Sequence, residues 1–172
     1  MKKFSLSLLA ALLLVCLCAC AGQSTPKVVD WNVDIPESFT EYDDDATEFY
    51  YYHADGSSIT LNLQKTGGVN TDDAFNDLTA DTLRSAVEDA FAASGVTNLE
   101  FQNETFEHIE VSGIPAYRWS YTIEYNGTAI TQTMVGVNSN PLLTFTYTDY
   151  SGSAAWSEVF DQSIANLELV TE

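Results

Sequence analysis

The chain has 172 residues, of which 6 are lysine or arginine and 25 are aspartate or glutamate, so its formal net charge is −19 at pH 7. A chain this acidic repels phosphate backbones, which excludes nucleic acid as a partner. Its content of 45% hydrophobic and 12% aromatic residues argues against intrinsic disorder and predicts a globular domain with its own core.

The first 19 residues are typical of an export signal. Lys2 and Lys3 precede an apolar run from Phe4 to Ala19 that contains no charged residue. The run is shorter than the ~20 apolar residues that a membrane-spanning helix needs, and it ends in small residues. It is therefore predicted to be a signal peptide rather than a transmembrane segment.

The end of this run, "LCAC" from Leu17 to Cys20, resembles the bacterial lipobox. In a lipobox, a branched apolar residue lies three positions before the lipidated cysteine, and a small residue lies directly before it. Cys20 follows Ala19 and fits this pattern, whereas Cys16 and Cys18 follow larger residues. We expect Cys20 to carry a lipid such as palmitate and to become the first residue of the mature chain.

The alternative for the three cysteines is a zinc site, which needs a fourth ligand and usually cysteines two to four residues apart. The two histidines, His53 and His108, lie far downstream on predicted strands. We therefore expect a signal peptide at 1–19, a lipidated cysteine and short tether at 20–27, and a single domain at 28–172. Such a protein is extracytoplasmic and is held at the cell membrane by its N-terminal lipid.

The elements of the domain follow from hydrophobic periodicity and turn residues. In chain order the patterns first predict a strand at 28–35, a loop at 37–46, and a hairpin of "TEFYYYHA" and "SSITLNLQK" around Asp55-Gly56. A helix from about Asp72 to Ser94 and a strand from about Asn98 to Val111 follow. The last predicted elements are a hairpin closed by Asn126-Gly127, a strand at 142–149 and a helix from about Trp156 to Leu167. Tight turns join antiparallel neighbours, so the predicted fold class is α+β, with a single antiparallel sheet covered by two helices.

The second hairpin has the clearest alternation. Trp119, Tyr121 and Ile123 share one face, which a two-residue turn would place opposite Met134, Gln132 and Ile130. We expect this face to lie in the core.

Several segments together resemble the PsbP-like family of small extracytoplasmic proteins, over about residues 28–170. They are "I-P-x-x-F" at Ile35 to Phe39, a long helix, "VSGIPAYRWSYTIEYNG", a "TFTYT" strand and a closing "F…I…L" helix. The resemblance implies a PsbP-like sandwich and a non-catalytic binding or accessory domain for another envelope component, such as a protein or a glycan. It supplies no catalytic residue and no cofactor.

Candidate chemistry elsewhere in the sequence is weak. The acidic residues Asp43, Asp44 and Asp45 could hold Ca²⁺, but they lack the alternating spacing that points successive oxygens at one ion. No serine or histidine lies in a nucleophile motif, and no phosphate loop is present. An extracytoplasmic hydrolase or metal-dependent enzyme with an unrecognised site remains the alternative function.

The aromatic run Phe49, Tyr50, Tyr51 and Tyr52 is the candidate binding surface. A two-residue turn at Asp55-Gly56 would place Tyr50 and Tyr52 on the face of Ile59 and Leu61. A three-residue loop with Gly56 as a bulge would place Phe49 and Tyr51 there instead. In either register one aromatic pair points away from that face, where it is either covered by another segment or exposed to a partner.

Overall fold

The computed structural model describes residues 25–42, 47–65, 72–93, 95–96 and 99–172. Over these residues the strands are β1 (Val28–Asn32), β2 (Thr40–Glu41), β3 (Phe49–Tyr52), β4 (Ser58–Gln64), β5 (Gln102–Val111), β6 (Ile114–Tyr125), β7 (Thr128–Val137), β8 (Leu142–Asp149) and β9 (Glu168–Thr171). The helices of the same ranges are α1 (Asp72–Asn76), α2 (Ala80–Ala93) and α3 (Ser157–Ala165). Among the described residues, no helix is long and apolar enough to cross a membrane.

Seven of the described strands form one antiparallel sheet, called here the main sheet, in the order β2-β3-β4-β8-β7-β6-β5. Strands β3 and β4 form one hairpin, and β5, β6 and β7 follow one another as a meander. Strand β8 runs between β4 and β7 and so joins the two halves of the sheet. The predicted α+β class with antiparallel pairing is confirmed.

The expectation of a single sheet covered by two helices is wrong in two respects, and the first concerns β1. This strand does not join the main sheet but pairs with β9, with Trp31 opposite Leu169. Strand β9 is only four residues long, and Leu169 alone of them is buried, so it shows too little alternation to be predicted. At the end of the ribbon where Val28 lies opposite Thr171, Lys27 Nζ donates a hydrogen bond of 2.6 Å to Glu172 Oε2.

The second difference is that the long predicted helix is two helices. Helix α1 ends at Asn76, and α2 begins only at Ala80. Between them, the Thr79 side chain accepts a hydrogen bond of 3.3 Å from the backbone N–H of Thr82, which makes Thr79 the N-cap of a new helix. The hydrophobic spacing continues across the break, since Phe75 and Leu78 are both buried, and this continuity is why the sequence predicts one helix.

The main sheet is buried on both faces by different elements. On one face Leu61, Phe145 and Val135 belong to a core that includes residues of α3 and of the β1–β9 ribbon. On the other face Trp119 and Tyr121 belong to a core that includes residues of α1 and α2. The sheet is therefore the middle of three layers, and its alternate residues serve two cores.

The register of the second hairpin is confirmed. Trp119 lies opposite Met134 and Ile123 opposite Ile130, and Trp119 is fully buried. Its indole Nε1 donates a hydrogen bond of 2.9 Å to Glu104 Oε1, and the other oxygen of Glu104 binds Arg84 of α2. This carboxylate thus satisfies the one polar atom of the buried indole side chain and ties α2 to the sheet.

Gly136 makes room for an aromatic ring within the main sheet. It lies on β7 directly opposite Tyr117 of β6, and a β-carbon built at Gly136 would overlap the ring and hydroxyl of Tyr117. Tyr117 is itself buried, so its ring has little freedom to move aside.

We predict that Gly136→Ala lowers stability by about 1–3 kcal/mol, because the added methyl group displaces a buried ring. Thermal unfolding should show a melting temperature lower by roughly 3–10 °C. The overlap is tested by a double-mutant cycle with Tyr117→Leu, in which Gly136→Ala should cost much less than in the parent chain. If Gly136→Ala destabilised the parent chain and the Tyr117→Leu variant equally, overlap with the Tyr117 ring would not be the cause.

Candidate functional site

The turn between β3 and β4 decides which aromatic side chains enter the core. His53 N–H donates to Ser57 O at 2.8 Å, which leaves a three-residue loop, and Gly56 has a φ of +96°. This is the bulged alternative, in which Phe49 lies opposite Leu61. Phe49 and Tyr51 are accordingly half-buried against the core that includes α3.

Tyr50 and Tyr52 face the other way and meet a third tyrosine, Tyr42, which directly follows β2. Tyr42 is 55% exposed and Tyr52 is 38% exposed, while Tyr50 is half-buried. The ring centroid of Tyr42 lies 5.8 Å from that of Tyr50 and 6.1 Å from that of Tyr52. Tyr42, Tyr50 and Tyr52 therefore form one contiguous set of rings, called here the tyrosine surface.

Tyr42 was missed by sequence reasoning, which assigned residues 37–46 to a loop. Strand β2 has only two residues, Thr40 and Glu41, and both are exposed, so it carries no alternating pattern. Thr40 pairs with Tyr52, and Tyr42 N–H donates a hydrogen bond of 2.7 Å to Tyr50 O. The available signal for a strand was that Thr40 and Tyr42 alternate with Glu41, a few residues before the run Tyr50 to Tyr52.

A polar row separates the tyrosine surface from the helix-covered part of the same sheet face. Tyr50 lies opposite Thr60, Thr60 lies opposite Thr146, and Thr146 lies opposite Met134. The hydroxyl oxygens of both threonines are buried without a hydrogen-bond partner in the part of the chain that the structure describes. Met134 already belongs to the core that includes α1 and α2, so this row marks the inner limit of the surface.

A second cluster surrounds Asp55 in the β3–β4 turn. Asp55 Oδ2 accepts a hydrogen bond of 2.9 Å from Trp156 Nε1, and Oδ1 accepts one of 2.8 Å from Ser57 N–H. His53 Nδ1 lies 3.0 Å from Asp55 Oδ1, and its ring packs edge-on against Trp156 with centroids 4.8 Å apart. Phe39 completes the aromatic packing around Trp156 at 4.9 Å.

These residues bring together a serine, a histidine and an aspartate, but they are not connected as a nucleophilic triad. A triad needs the serine hydroxyl bound to the histidine. Ser57 is instead fully buried, and its Oγ accepts a hydrogen bond of 2.9 Å from Tyr150 N–H. The arrangement therefore joins the turn to Tyr150 and Trp156 and serves the architecture of this end of the sheet.

The shifted pKa values of the described residues do not point to acid–base chemistry at neutral pH. Burial raises the pKa of Tyr117 and Tyr121 and raises that of Tyr147 to about 12, so these phenols stay protonated. For Asp55, partial burial raises the pKa, but hydrogen bonds from Trp156, Ser57 and His53 together lower it well below the ordinary value. A general acid or base works best with a pKa near the operating pH, and these shifts move away from it.

Comparisons with known proteins identify the fold. No protein-family model matches the sequence, and no curated protein matches it. The solved structure of cyanobacterial PsbP (CyanoP) from Synechocystis sp. PCC 6803 matches 89% of this chain and 97% of its own, with a TM-score of 0.55 and 12% identity. The fold of this chain is similar to that of PsbP.

Two further structures are similar to this PsbP-like fold. LpqN of Mycobacterium tuberculosis, which is involved in cell envelope biogenesis, has a TM-score of 0.51 at 7% identity, over 89% of this chain and 88% of LpqN. A Bacteroides thetaiotaomicron VPI-5482 protein has a TM-score of 0.51 at 14% identity, over 88% of this chain and 50% of that one. At these identities the likeness establishes the fold alone.

Two sets of sequence-predicted site residues lie outside the described residues. They are Cys20, the predicted lipidation site, and Asp43, Asp44 and Asp45, the weak calcium candidate. Within the ranges that the structure does describe, no group of three or more His, Cys, Asp or Glu side chains could hold a metal ion.

We predict that Asp55 stabilises the PsbP-like domain at neutral pH and loses this effect in acid. Its folded-state pKa is lowered, so its contribution is present above the unfolded value near 3.8 and is lost as the pH falls below it. Asp55→Asn should cost about 1–2 kcal/mol at pH 7 in urea unfolding, and the difference from the parent chain should shrink towards pH 3.

Glu168→Gln, which removes an exposed carboxylate on β9, is the matched control and should change little at either pH. A cost for Asp55→Asn that is the same at pH 3 as at pH 7 would contradict the assignment of an ionised carboxylate holding the turn.

Proposed function

We propose that this chain is a bacterial lipoprotein, anchored to the outer side of the cell membrane through Cys20, whose PsbP-like domain is a non-catalytic accessory module. In this proposal the domain binds another component of the cell envelope through the tyrosine surface. The observation that carries the proposal is the contiguous set of rings formed by Tyr42, Tyr50 and Tyr52, of which Tyr42 and Tyr52 are exposed. Tyrosine is enriched in the parts of protein interfaces that contribute most to binding.

The position of the first described residues supports an anchored arrangement. Asn140 N–H donates a hydrogen bond of 2.8 Å to Pro26 O, and Glu172 N–H donates one of 3.1 Å to Lys27 O. Pro26 is six positions after Cys20, and at about 3.3 Å per residue this span reaches no more than ~20 Å. A lipid on Cys20 would therefore hold the domain close to the membrane surface, where envelope components are within reach.

The similar structures support an accessory role. PsbP and LpqN share this fold, and LpqN is described as involved in cell envelope biogenesis. The arrangement of Ser57, His53 and Asp55 as a structural turn, rather than as a triad, agrees with a module that binds without catalysing a reaction.

We predict that Cys20→Ala abolishes membrane association and leaves the domain folded. Two or more acyl chains give stable anchoring at ~0.8 kcal/mol per buried CH₂. Metabolic labelling with a fatty-acid analogue, followed by membrane fractionation, measures both effects. Cys18→Ala is the matched control and should retain label and membrane location. Labelling that persists in Cys20→Ala would overturn the lipobox assignment.

We also predict that the tyrosine surface contacts a partner in the envelope of intact cells. A photo-crosslinking amino acid placed at Thr40, which is exposed opposite Tyr52, should form a defined adduct. The adduct should disappear in the Tyr42→Ser/Tyr52→Ser variant, because two ring contacts are lost.

Val29→Ser/Val170→Ser removes two exposed apolar side chains on the β1–β9 ribbon and should leave the adduct unchanged. Melting temperatures of both double variants should stay within about 3 °C of the parent, because the changed side chains are solvent-facing. An adduct that survives loss of both tyrosines would place the partner elsewhere.

A further inference from the structure

We propose that the partner segment recognised by the tyrosine surface is an extended peptide rich in lysine and arginine. This inference rests on the proposed function and specifies the chemistry of the occupant. It is argued from the geometry of the rings, the charges beside them, the position of the cations of this chain and the open edge of the main sheet.

The three rings present aromatic faces in two directions. Tyr42 is nearly perpendicular to both neighbours, with interplanar angles of 83° to Tyr50 and 83° to Tyr52. Tyr50 and Tyr52 are inclined by 40° and lie 6.3 Å apart. The negative face of a tyrosine ring attracts an ammonium or guanidinium group within about 6 Å of its centroid. Rings of differing orientation can accept successive cationic side chains of one segment.

The charge next to the rings favours the same occupant. Glu41 directly precedes Tyr42, and Glu48 directly precedes β3, and both glutamates are exposed. Glu41 lies opposite Tyr51, so by alternation it extends from the opposite face of the sheet, and Glu48 lies just before the start of β3. Both carboxylates add negative charge to this edge of the sheet, on a chain whose net charge is −19. An anionic partner would be repelled here, and a cationic one would be attracted over the range of the Debye length, about 8–10 Å at physiological salt.

The cations of this chain do not neutralise these two glutamates. Of the four described lysines and arginines, Lys27 pairs with the carboxylate of Glu172, Arg84 with that of Glu104 and Arg118 with that of Asp161, while Lys65 forms no ion pair with a described residue. Within the described residues no lysine or arginine forms an ion pair with Glu41 or Glu48. Their charge is available to a partner.

The edge of the sheet favours a peptide over a small polyamine. Strand β2 is the outermost strand of the main sheet on this side, so its outer backbone groups face away from β3. An extended segment can add to such an edge through main-chain hydrogen bonds while its alternate side chains reach the neighbouring surface. Here that surface carries Tyr42, Tyr50 and Tyr52. A free polyamine has no peptide groups and so could not form these main-chain hydrogen bonds.

The part of the tyrosine surface on β3 is anchored from its inner side before a partner arrives. Phe49 and Tyr51 alternate with Tyr50 and Tyr52 and pack into the core, where the centroid of Phe49 lies 6.4 Å from that of Phe145. A strand anchored on its inner face holds its outer rings in place, so little conformational entropy is lost on binding.

The test measures binding of a fluorescein-labelled peptide to the full chain in uncharged detergent micelles, by fluorescence anisotropy at low and at ~0.15 M salt. The peptide alternates lysine or arginine with serine, and its control has glutamine in place of each basic residue. Tyr42→Ser/Tyr52→Ser should weaken binding of the basic peptide by about 5- to 30-fold. Tyr42→Phe/Tyr52→Phe should bind as the parent does, because the ring faces remain.

A second pair of variants separates local charge from the overall charge. Glu41→Gln/Glu48→Gln should weaken binding by about 3- to 10-fold at low salt. Glu158→Gln/Glu168→Gln removes the same charge from exposed positions on α3 and β9 and should change binding by less than about 2-fold. Thermal unfolding of each variant confirms that the domain remains folded.

Three results would overturn the proposal. They are equal weakening by both glutamine variants, equal binding of the basic and glutamine peptides, or binding of neutral maltohexaose at the tyrosine surface without binding of the basic peptide. The last result would assign the surface to a glycan. If the peptide fails while the Thr40 adduct still depends on the tyrosines, the inference about charge fails and the proposed function stands.

Discussion

The register of β3 on β4 depends on the loop that the carboxylate of Asp55 holds. That carboxylate accepts hydrogen bonds from Ser57 N–H and from Trp156 Nε1, so one side chain closes the turn and ties it to the segment before α3. Because side chains alternate along a strand, a shift of one residue would exchange the inward and outward sets. Tyr50 and Tyr52 lie on the face turned away from the core that includes α3 because this loop has three residues rather than two.

Three of the four described basic residues form ion pairs between distant parts of the chain. Arg84 links α2 to Glu104 near the start of β5, Arg118 links β6 to Asp161 of α3, and Lys27 binds the C-terminal Glu172. The chain has 25 acidic residues and only 6 basic ones, so carboxylates are in large excess over cations. Such an excess generally favours solubility and disfavours the approach of anionic partners.

The sequence predicts a part of the fold well where its local signals agree on a single structure. Asn126-Gly127 is such a case, because its turn chemistry and the alternation through Trp119 require the same register. The run from Phe49 to Tyr52 has no such signal, since it is aromatic on both faces and alternation cannot choose between them. The observed turn is accompanied by a tertiary hydrogen bond between Asp55 and Trp156. These residues are 101 positions apart, so local alternation does not reveal the contact.

The remaining errors have the same origin in long-range contacts. Strand β9 exists because the end of the chain meets β1, and β2 exists because two exposed residues pair with Tyr51 and Tyr52. Neither contains enough buried residues to be recognised by itself. The candidate site was therefore only half predictable. The sequence named Phe49, Tyr50, Tyr51 and Tyr52 and left open which pair is exposed, and Tyr42 joined Tyr50 and Tyr52 only through β2.

The similar structures place a further constraint on where the function of this chain resides. At 7% to 14% identity the likeness establishes the fold alone, and one fold can carry many unrelated functions. A surface built from Tyr50 and Tyr52 of β3 and from Tyr42, which directly follows β2, is not required by that fold, because none of the three rings belongs to either core. The binding role proposed above would account for the clustering of these rings.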